Sequence, residues 1–314
     1  MRTAAVIFPG QGAQFEGMGR DWAEAFPIAR ETFERANEAL GFSLTEKIWS
    51  SGEEVNRTDV AQPGILATSA AIMNVLRAEL GLEVGSCPLT AGLSLGEYTA
   101  LWFAGSLSFE DAVRLVRLRG EAMQDASERV QSSMTSLMGA TEEQAHELAK
   151  VGAGHGICSV ANLNAPGQIV LSGELAALDA VEAAAKDHGV RRARRLTVAG
   201  GFHSECMRSA ADRLAEALRG VTLEPPRTAF VSNVTATETA DPEQIRRQLA
   251  DQVCAPVLWE RSMREALGRG LRSFLEPGPG EVLAGLLKKI DPEAECASAR
   301  RPEDLKALVG TSFD

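Results

Sequence analysis

Apolar runs that stop at turn residues mark the predicted strands near the start of the chain. Residues 4–8 (AAVIF) are wholly apolar and end at Pro9-Gly10, a pattern typical of a strand buried on both faces of a parallel sheet. Residues 89–92 (LTAG) predict a second strand of the same kind. Helical segments are predicted around these strands: one that ends at Leu40, and residues 60–80, 97–103 and 109–123. Strands that alternate with helices predict an α/β body.

Residues 127–198 show a different order of elements, βαββαβ, which is the order of a ferredoxin-like unit. The predicted strands are residues 134–139, 157–161, 168–171 and 190–198, and the predicted helices are residues 141–151, with Thr141 as N-cap, and 174–188. The α/β body resumes at Gly200, with strand patterns at 228–232 and 272–276. We therefore expect a large domain of residues 1–128 and 199–314, interrupted by a small domain of residues 129–198.

The composition provides enough apolar residues for a sizeable core. Of the 314 residues, 45% are hydrophobic and 24% are charged, and the formal net charge is −11. Nucleic-acid-binding proteins usually carry a basic domain or stripe, so this acidic balance argues against that class of protein. It leaves chemistry on small molecules open.

The five cysteines are scattered along the chain, and no two of them form a CxxC pair. They are Cys87, Cys158, Cys206, Cys254 and Cys296. This set is typical of free thiols in a reducing compartment, and it lacks the ligand spacing of a zinc site. The apolar run at the N-terminus is too short for a signal peptide, and no apolar stretch reaches the roughly 18 residues that a membrane span needs. We expect a cytoplasmic protein without a metal site or a membrane segment.

Residues 92–96 (GLSLG) carry the most specific chemical signal in the sequence. They match the G-x-S-x-G pattern of a nucleophile elbow and lie between a predicted strand and a predicted helix, which is the context that the pattern requires. A serine attacks only with a base within reach and with donors for the oxyanion that forms. For Ser94, the backbone N–H of Leu95 would be one donor, and the N-terminus of the following helix favours negative charge there.

Only four histidines can supply the base. His146 and His188 lie in charged helical stretches, typical of a solvated surface. His155 in GAGHGI and His203 in VAGGFHSE both lie in glycine-rich loops, and the residues alone do not decide between them. The glycine-rich stretch at residues 8–14 (FPGQGAQ) predicts a tight strand-to-helix turn, because it lacks the full pattern of a dinucleotide site.

Six motifs, in this order, resemble those of one family, the malonyl-CoA:acyl carrier protein transacylases and the related acyltransferase domains of polyketide synthases. The motifs are FPGQGAQ (8–14), GLSLGEY (92–98), RLRGEAMQ (117–124), ANLNAPGQIVLSG (161–173), GGFHS (200–204) and FLEPGPG (274–280). The resemblance covers about residues 5–290. It implies an α/β-hydrolase-like core with a ferredoxin-like small domain.

The resemblance also implies a role for individual residues. Ser94 matches the nucleophile that carries the acyl group, and His203 matches the base, in preference to His155. The further matches are Gln11, whose backbone N–H would be the second oxyanion donor beside that of Leu95; Gln252, which would support the histidine in place of an aspartate; and Arg119, which would pair with the free carboxylate of a malonyl group. No metal or redox cofactor is implied, because thioester exchange is nearly balanced.

Two readings of Arg119 follow from the sequence. A guanidinium can bind a carboxylate through two parallel hydrogen bonds, and a neutral acyl group would leave it unpaired. The alternative is a charge on a helix surface beside Arg114 and Arg117, which the residues alone favour. One position departs from the family: Leu93 stands where many members have histidine before the nucleophile. Since that histidine is not the base, we expect catalysis to survive.

The implied partners are malonyl-CoA and an acyl carrier protein, and nothing in the sequence demands more than a monomer. Carrier proteins are acidic, so docking would need a local basic patch. Residues 191–195 (RRARR) and Lys288-Lys289 are candidates, although solvated charges are an equally good interpretation.

Four functions remain open on the sequence. The first is transfer of malonyl groups for fatty acid synthesis, and the second is the same transfer for a polyketide or polyunsaturated-lipid synthase. The third is hydrolysis of acyl thioesters with the same serine and histidine. The fourth, a non-catalytic carrier-binding protein, is disfavoured because such a protein has no need for a complete acylation set.

Overall fold

The computed structural model describes residues 4–50 and 52–310, and in these residues nine strands form two sheets. The strands are β1 Ala5–Phe8, β2 Leu89–Gly92, β3 Ser132–Met138, β4 Cys158–Ala165, β5 Gln168–Glu174, β6 Arg192–Arg195, β7 Ala229–Val231, β8 Ser273–Pro277 and β9 Glu295–Ala299. The helices are α1 Arg20–Ala25, α2 Pro27–Leu40, α3 Leu44–Trp49, α4 Thr58–Leu80, α5 Gly96–Phe103, α6 Phe109–Arg129, α7 Glu142–Ala153, α8 Leu175–Ala184, α9 Arg208–Arg219, α10 Pro242–Asp251, α11 Trp259–Gly268, α12 Val282–Ile290 and α13 Asp304–Gly310. Short 3₁₀ turns occupy Gly52–Asn56, Val84–Ser86 and Glu205–Met207.

The larger sheet is parallel, with the strand order β7-β2-β1-β8-β9. Every residue of β1 and β2 is buried, as expected for central strands with helices on both faces. Phe8 pairs with Gly92, so both strands end at the same edge. The loops that follow them, which carry Gln11 and Ser94, therefore lie side by side at the carboxyl end of the sheet, where open α/β sheets place their ligand sites.

The smaller sheet is antiparallel, with the strand order β4-β5-β3-β6. Its strands alternate between two environments because successive side chains point to opposite faces. Leu137 and Leu171 pack with α7 and α8. Met134 and Val170 face the other way and join the hydrophobic core that includes residues of β1, α4 and α6. The small sheet is therefore covered on one face by its own helices and on the other by the rest of the chain.

A second link joins the small sheet to the chain after α10. The backbone of β4 pairs with Val257: the Leu163 N–H donates to the Val257 carbonyl at 2.9 Å, and the Val257 N–H donates to the Ala161 carbonyl at 2.8 Å. This pairing fixes the path of residues 252–257 against the small sheet.

Most predicted elements occur with shifted ends, and two expectations need correction. The helical segment before Leu40 is two helices, α1 and α2, because Pro27 lacks an N–H and begins a new helix at its first position. The strand predicted at 190–198 shortens to Arg192–Arg195. The edge strand β9 was not predicted. Residues 1–3, 51 and 311–314 of the expected large domain lie outside the described residues.

No helix in the described ranges is both long enough and apolar enough to cross a membrane. The five cysteines, all within those ranges, are free thiols.

Candidate active site

Ser94 lies on a strained turn between β2 and α5. Its φ of 54° is in the left-handed region, which costs a non-glycine residue about 1–3 kcal/mol. The two glycines of the motif are required by packing: a Cβ on Gly92 would lie 1.9 Å from the Gly96 carbonyl carbon, and one on Gly96 would lie 2.3 Å from the Phe8 oxygen. The G-x-S-x-G pattern therefore encodes a tight turn that holds the serine at the end of the strand.

Asn233, just after β7, holds this turn in place. Its Oδ1 accepts from the Ser94 backbone N–H at 2.7 Å, and its Nδ2 donates to the Gly92 carbonyl at 2.7 Å. Asn233 was not predicted as a site residue. Its sequence signal is its position after the strand predicted at 228–232, and the structure places β7 beside β2.

His203 lies next to the serine. Its Nε2 is 2.9 Å from Ser94 Oγ, and its Nδ1 is 2.8 Å from the Gln252 backbone oxygen. A carbonyl oxygen only accepts, so Nδ1 carries the proton and the neutral ring leaves Nε2 to accept from the serine. Burial, reinforced by the Arg119 charge, lowers the pKa of His203 to about 4. The imidazole is therefore a neutral base at neutral pH.

The other three histidines lie away from this site. His146 and His155 are exposed and His188 is partly exposed. The choice that the residues left open between His155 and His203 is therefore decided by position, because only His203 contacts Ser94.

Arg119 is buried at the same point, and the surface interpretation favoured by the residues alone is wrong. Only 1% of Arg119 is exposed, whereas Arg114 and Arg117 reach solvent and pair with acidic residues. Close packing of α6 on α4 places it: a Cβ on Gly120 would lie 2.6 Å from the Thr58 oxygen, so the helices approach at this glycine.

The contacts of the Arg119 guanidinium are all to uncharged groups. Nη1 donates to Gln62 Oε1 at 2.7 Å, and Nη2 donates to Ser94 Oγ at 3.0 Å and to Gln252 Oε1 at 2.9 Å. Its Nε has no hydrogen-bond partner among the described residues. Burial lowers the pKa of Arg119. A buried cation held by neutral oxygens, with an unused donor, is suited to bind an anion.

The two candidate oxyanion donors lie on adjoining loops. Neither the Gln11 nor the Leu95 backbone N–H donates to any group in the described part of the chain. Contact between the loops is close, because a Cβ on Gly10 would lie 2.4 Å from the Leu93 oxygen. Both N–H groups are therefore free to bind an oxygen of a ligand.

Gln252 and Glu97 complete the buried network. The Gln252 amide nitrogen donates to the Ser94 carbonyl at 3.0 Å and also to Glu97 Oε2. Glu97 is 1% exposed, and burial raises its pKa to about 8. Neither Glu97 nor Gln62 was singled out by the sequence analysis. No group of three histidine, cysteine, aspartate or glutamate side chains that could hold a metal ion occurs in residues 4–50 and 52–310.

Comparison with known proteins shows the family to which the chain belongs. Residues 6–296 match the model of the acyl transferase domain, and the chain belongs to this family. It is similar to the malonyl CoA-acyl carrier protein transacylase of Bacillus subtilis (strain 168), with 38% identity over 99% of this chain and 98% of that protein.

Two solved structures share the mixed α/β fold, with its parallel sheet and small antiparallel sheet. One is a malonyl-CoA:acyl carrier protein transacylase of Xanthomonas oryzae pv. oryzae, with a TM-score of 0.94 and 38% identity over 99% of this chain and 98% of that one. The other is a malonyl-transacylase in complex with a type II polyketide synthase acyl-carrier protein, with a TM-score of 0.94 and 37% identity over 99% and 100% of the two chains.

Proposed function

We propose that this protein transfers a malonyl group from malonyl-CoA to the phosphopantetheine thiol of an acyl carrier protein, through an ester on Ser94. The observation that carries the proposal is the position of one hydroxyl. Ser94 Oγ lies within hydrogen-bond distance of a neutral histidine, at 2.9 Å, and of a buried arginine, at 3.0 Å. Family membership and the relatives' names support the same activity.

In the first half-reaction, His203 Nε2 accepts the Ser94 proton as Oγ attacks the thioester carbonyl. The oxyanion accepts hydrogen bonds from the N–H groups of Gln11 and Leu95. Collapse of this intermediate expels the coenzyme A sulfur, which takes the proton from His203. The positive charge that His203 carries meanwhile is stabilised by its Nδ1–H bond to the Gln252 carbonyl.

The second half-reaction reverses these steps with the carrier's thiol. His203 removes the thiol proton, the sulfur attacks the malonyl ester, and Ser94 leaves as the alcohol after His203 returns the proton. The overall reaction exchanges one thioester for another and is nearly balanced in free energy, so the enzyme need not drive it. It must exclude water, which would hydrolyse the ester, and the burial of Ser94, His203 and Arg119 serves this end.

Arg119 would select the acyl group. The malonyl carboxylate lies two bonds from the acyl carbon that Ser94 attacks, and the Arg119 guanidinium contacts the Ser94 hydroxyl. A malonyl group can therefore bring its carboxylate to the guanidinium and bond donors such as Nε, which has no partner in the described residues. An acetyl group leaves the buried cation unpaired, which disfavours it by about 1–3 kcal/mol or more.

The proposal also covers the domain architecture, the location, the oligomeric state and the pathway of the protein. The strand order β4-β5-β3-β6 supports a ferredoxin-like small domain of residues 129–198, and the parallel sheet with its elbow supports an α/β-hydrolase-like large domain of residues 1–128 and 199–314. We also infer a cytoplasmic monomer that needs no cofactor, and light scattering would test the monomer. Fatty acid synthesis is the proposed pathway.

A polyketide pathway is the second candidate. The solved malonyl-transacylase bound to a type II polyketide synthase carrier, at 37% identity, favours it. The chemistry at Ser94 is the same in both pathways, and they differ in the carrier that is discharged. Comparing rates with the two kinds of carrier would decide between them.

The proposed activity is tested by the mass of the carrier protein. A holo-carrier incubated with malonyl-CoA and the wild type should gain one malonyl group, while free malonate stays low. A carrier that lacks its phosphopantetheine arm should gain none. The Ser94→Ala variant should neither load the holo-carrier nor release malonate. Malonate release without a malonyl-carrier would show a hydrolase and overturn the proposal.

A further inference from the structure

The carboxyl group of Glu97 lies directly behind the nucleophile and takes no step in the proposed reaction. Glu97 is the second residue of α5 and is 1% exposed. A carboxyl group at such a depth destabilises a fold unless its oxygens are hydrogen-bonded. Its contacts therefore indicate what it contributes.

Each oxygen of Glu97 binds a residue that holds the active site. Oε1 accepts from the Asn233 backbone N–H at 2.6 Å, and the Asn233 side chain holds the Ser94 backbone. Oε2 accepts from the Gln252 amide nitrogen, and the Gln252 backbone oxygen holds His203. One carboxyl group thus connects the support of the nucleophile with the support of the base.

The Glu97 contact also decides which way the Gln252 amide faces. Arg119 can only donate, so the amide oxygen of Gln252 must face Nη2, which lies 2.9 Å away. The amide nitrogen then faces the Ser94 carbonyl and Glu97 Oε2, and both accept. A carboxyl group that carries one proton, as the raised pKa of Glu97 implies at neutral pH, keeps an unprotonated oxygen for this contact. A donor in place of the Glu97 oxygen would oppose the amide nitrogen and favour the reversed amide, whose nitrogen would face the guanidinium.

We propose that Glu97 is a positioning residue that, by accepting from the Gln252 amide, keeps the Gln252 oxygen toward Arg119 and holds the guanidinium where an acyl carboxylate meets it. This inference rests on the proposed function, since it concerns the same site. It assigns Glu97 to the selection of acidic acyl groups rather than to proton transfer.

The substitution Glu97→Gln isolates this contact. The glutamine oxygen can still accept from the Asn233 N–H, while its NH₂ group replaces the oxygen that Gln252 needs. Glu276→Gln is the matched control, because Glu276 is also wholly buried and accepts from two backbone N–H groups, those of Leu283 at 3.0 Å and Ala284 at 2.9 Å, at the start of α12. It makes the same chemical change outside the network of Ser94.

Rates of adduct formation with malonyl-CoA and with acetyl-CoA give the readout, measured by rapid quenching and intact mass. We expect Glu97→Gln to slow malonylation by about tenfold to a hundredfold, the effect of one lost hydrogen bond in a charged network. Acetylation should change far less, because an acetyl group has no carboxylate for Arg119 to bind. Glu276→Gln should keep the wild-type ratio of the two rates even if it lowers the melting temperature.

A merely structural role for Glu97 would slow both acyl donors equally and leave their ratio unchanged, and that result would overturn the inference. If Glu97→Gln does not fold, Glu97→Asp gives the test, because its shorter carboxyl group cannot bridge Asn233 and Gln252 together. The same loss of malonyl preference is expected, and an unchanged ratio contradicts the inference. A wild type that forms no malonyl adduct overturns the proposed function as well, which distinguishes the two failures.

Discussion

Ser94 Oγ lies 2.9 Å from Nε2 of His203 and 3.0 Å from Nη2 of Arg119. The same hydroxyl thus faces a group that can take its proton and a cation that favours the negative charge left behind. The cation also lowers the pKa of His203, after burial, so the base stays neutral until it accepts the serine proton. This relationship connects the proposed attack to the proposed choice of acyl group.

The pH dependence of malonyl loading should report the His203 pKa of about 4. The base works when it is neutral, which is above its pKa. The loading rate per enzyme at low malonyl-CoA concentration should therefore hold from pH 7 down to pH 5 and fall as the pH drops through about 4. Circular dichroism at each pH serves as the control for unfolding. An acid limb near 6.5, the value of an exposed histidine, would contradict the buried neutral base.

Arg119→Ala should slow loading of malonyl-CoA by about a hundredfold or more, because a carboxylate would enter the buried site without a partner. Loading of acetyl-CoA should fall much less. Arg117→Ala is the matched control, because Arg117 lies two residues away on α6 and pairs with Glu121 and Asp59 outside the site. Equal losses for the two acyl donors in Arg119→Ala would refute selection by charge.

Gly10→Ala should slow acylation of Ser94, because Gly10 lies in the loop after β1 that carries the Gln11 N–H, one of the two proposed oxyanion donors. The new methyl group would lie 2.4 Å from the Leu93 oxygen and 2.8 Å from Leu93 Cδ2, so the loop that carries the Gln11 N–H must shift. Loss of one such donor costs about a hundredfold to a thousandfold in rate. Gly85→Ala has open space around it and should load at the wild-type rate. Unaltered loading by Gly10→Ala would argue against this loop as a donor.

Asn233→Ala should lower both stability and activity. It removes the partners of two buried backbone groups, the Ser94 N–H and the Gly92 carbonyl, and each orphaned group costs about 1–3 kcal/mol. Urea unfolding should show a free energy of unfolding lower by at least about 2 kcal/mol. A variant as stable as the wild type would show that the elbow needs no such support.

Residues whose chemistry is local to a motif could be predicted from the sequence. Ser94 follows from G-x-S-x-G between a strand and a helix, and the small number of histidines left His155 and His203 as the main alternatives. Deciding between those two needed the family resemblance, and the structure then showed which one contacts the serine. The local pattern also gave the wrong environment for Arg119, because helix periodicity does not show how closely α6 and α4 approach.

Residues that act through long-range contacts could not be predicted from the residues alone, and Gln252 was identified only through the family resemblance. Asn233 is 139 residues from Ser94, and Gln252 is 155 residues from Glu97. Amide side chains have no sequence signature for such pairs, and Glu97 resembles an ordinary acid at the start of a helix. β9 was missed for another reason: its residues ECASA are an edge strand with no apolar run.

Intact-protein mass after brief mixing with malonyl-CoA shows directly whether Ser94 carries the acyl group. We expect one malonyl adduct on the wild type, mapped to Ser94, absent in Ser94→Ala, weaker with acetyl-CoA and discharged by a holo-carrier. An adduct that persists in Ser94→Ala would contradict the assigned nucleophile. A wild type that forms no adduct while free malonate accumulates would contradict the transfer itself.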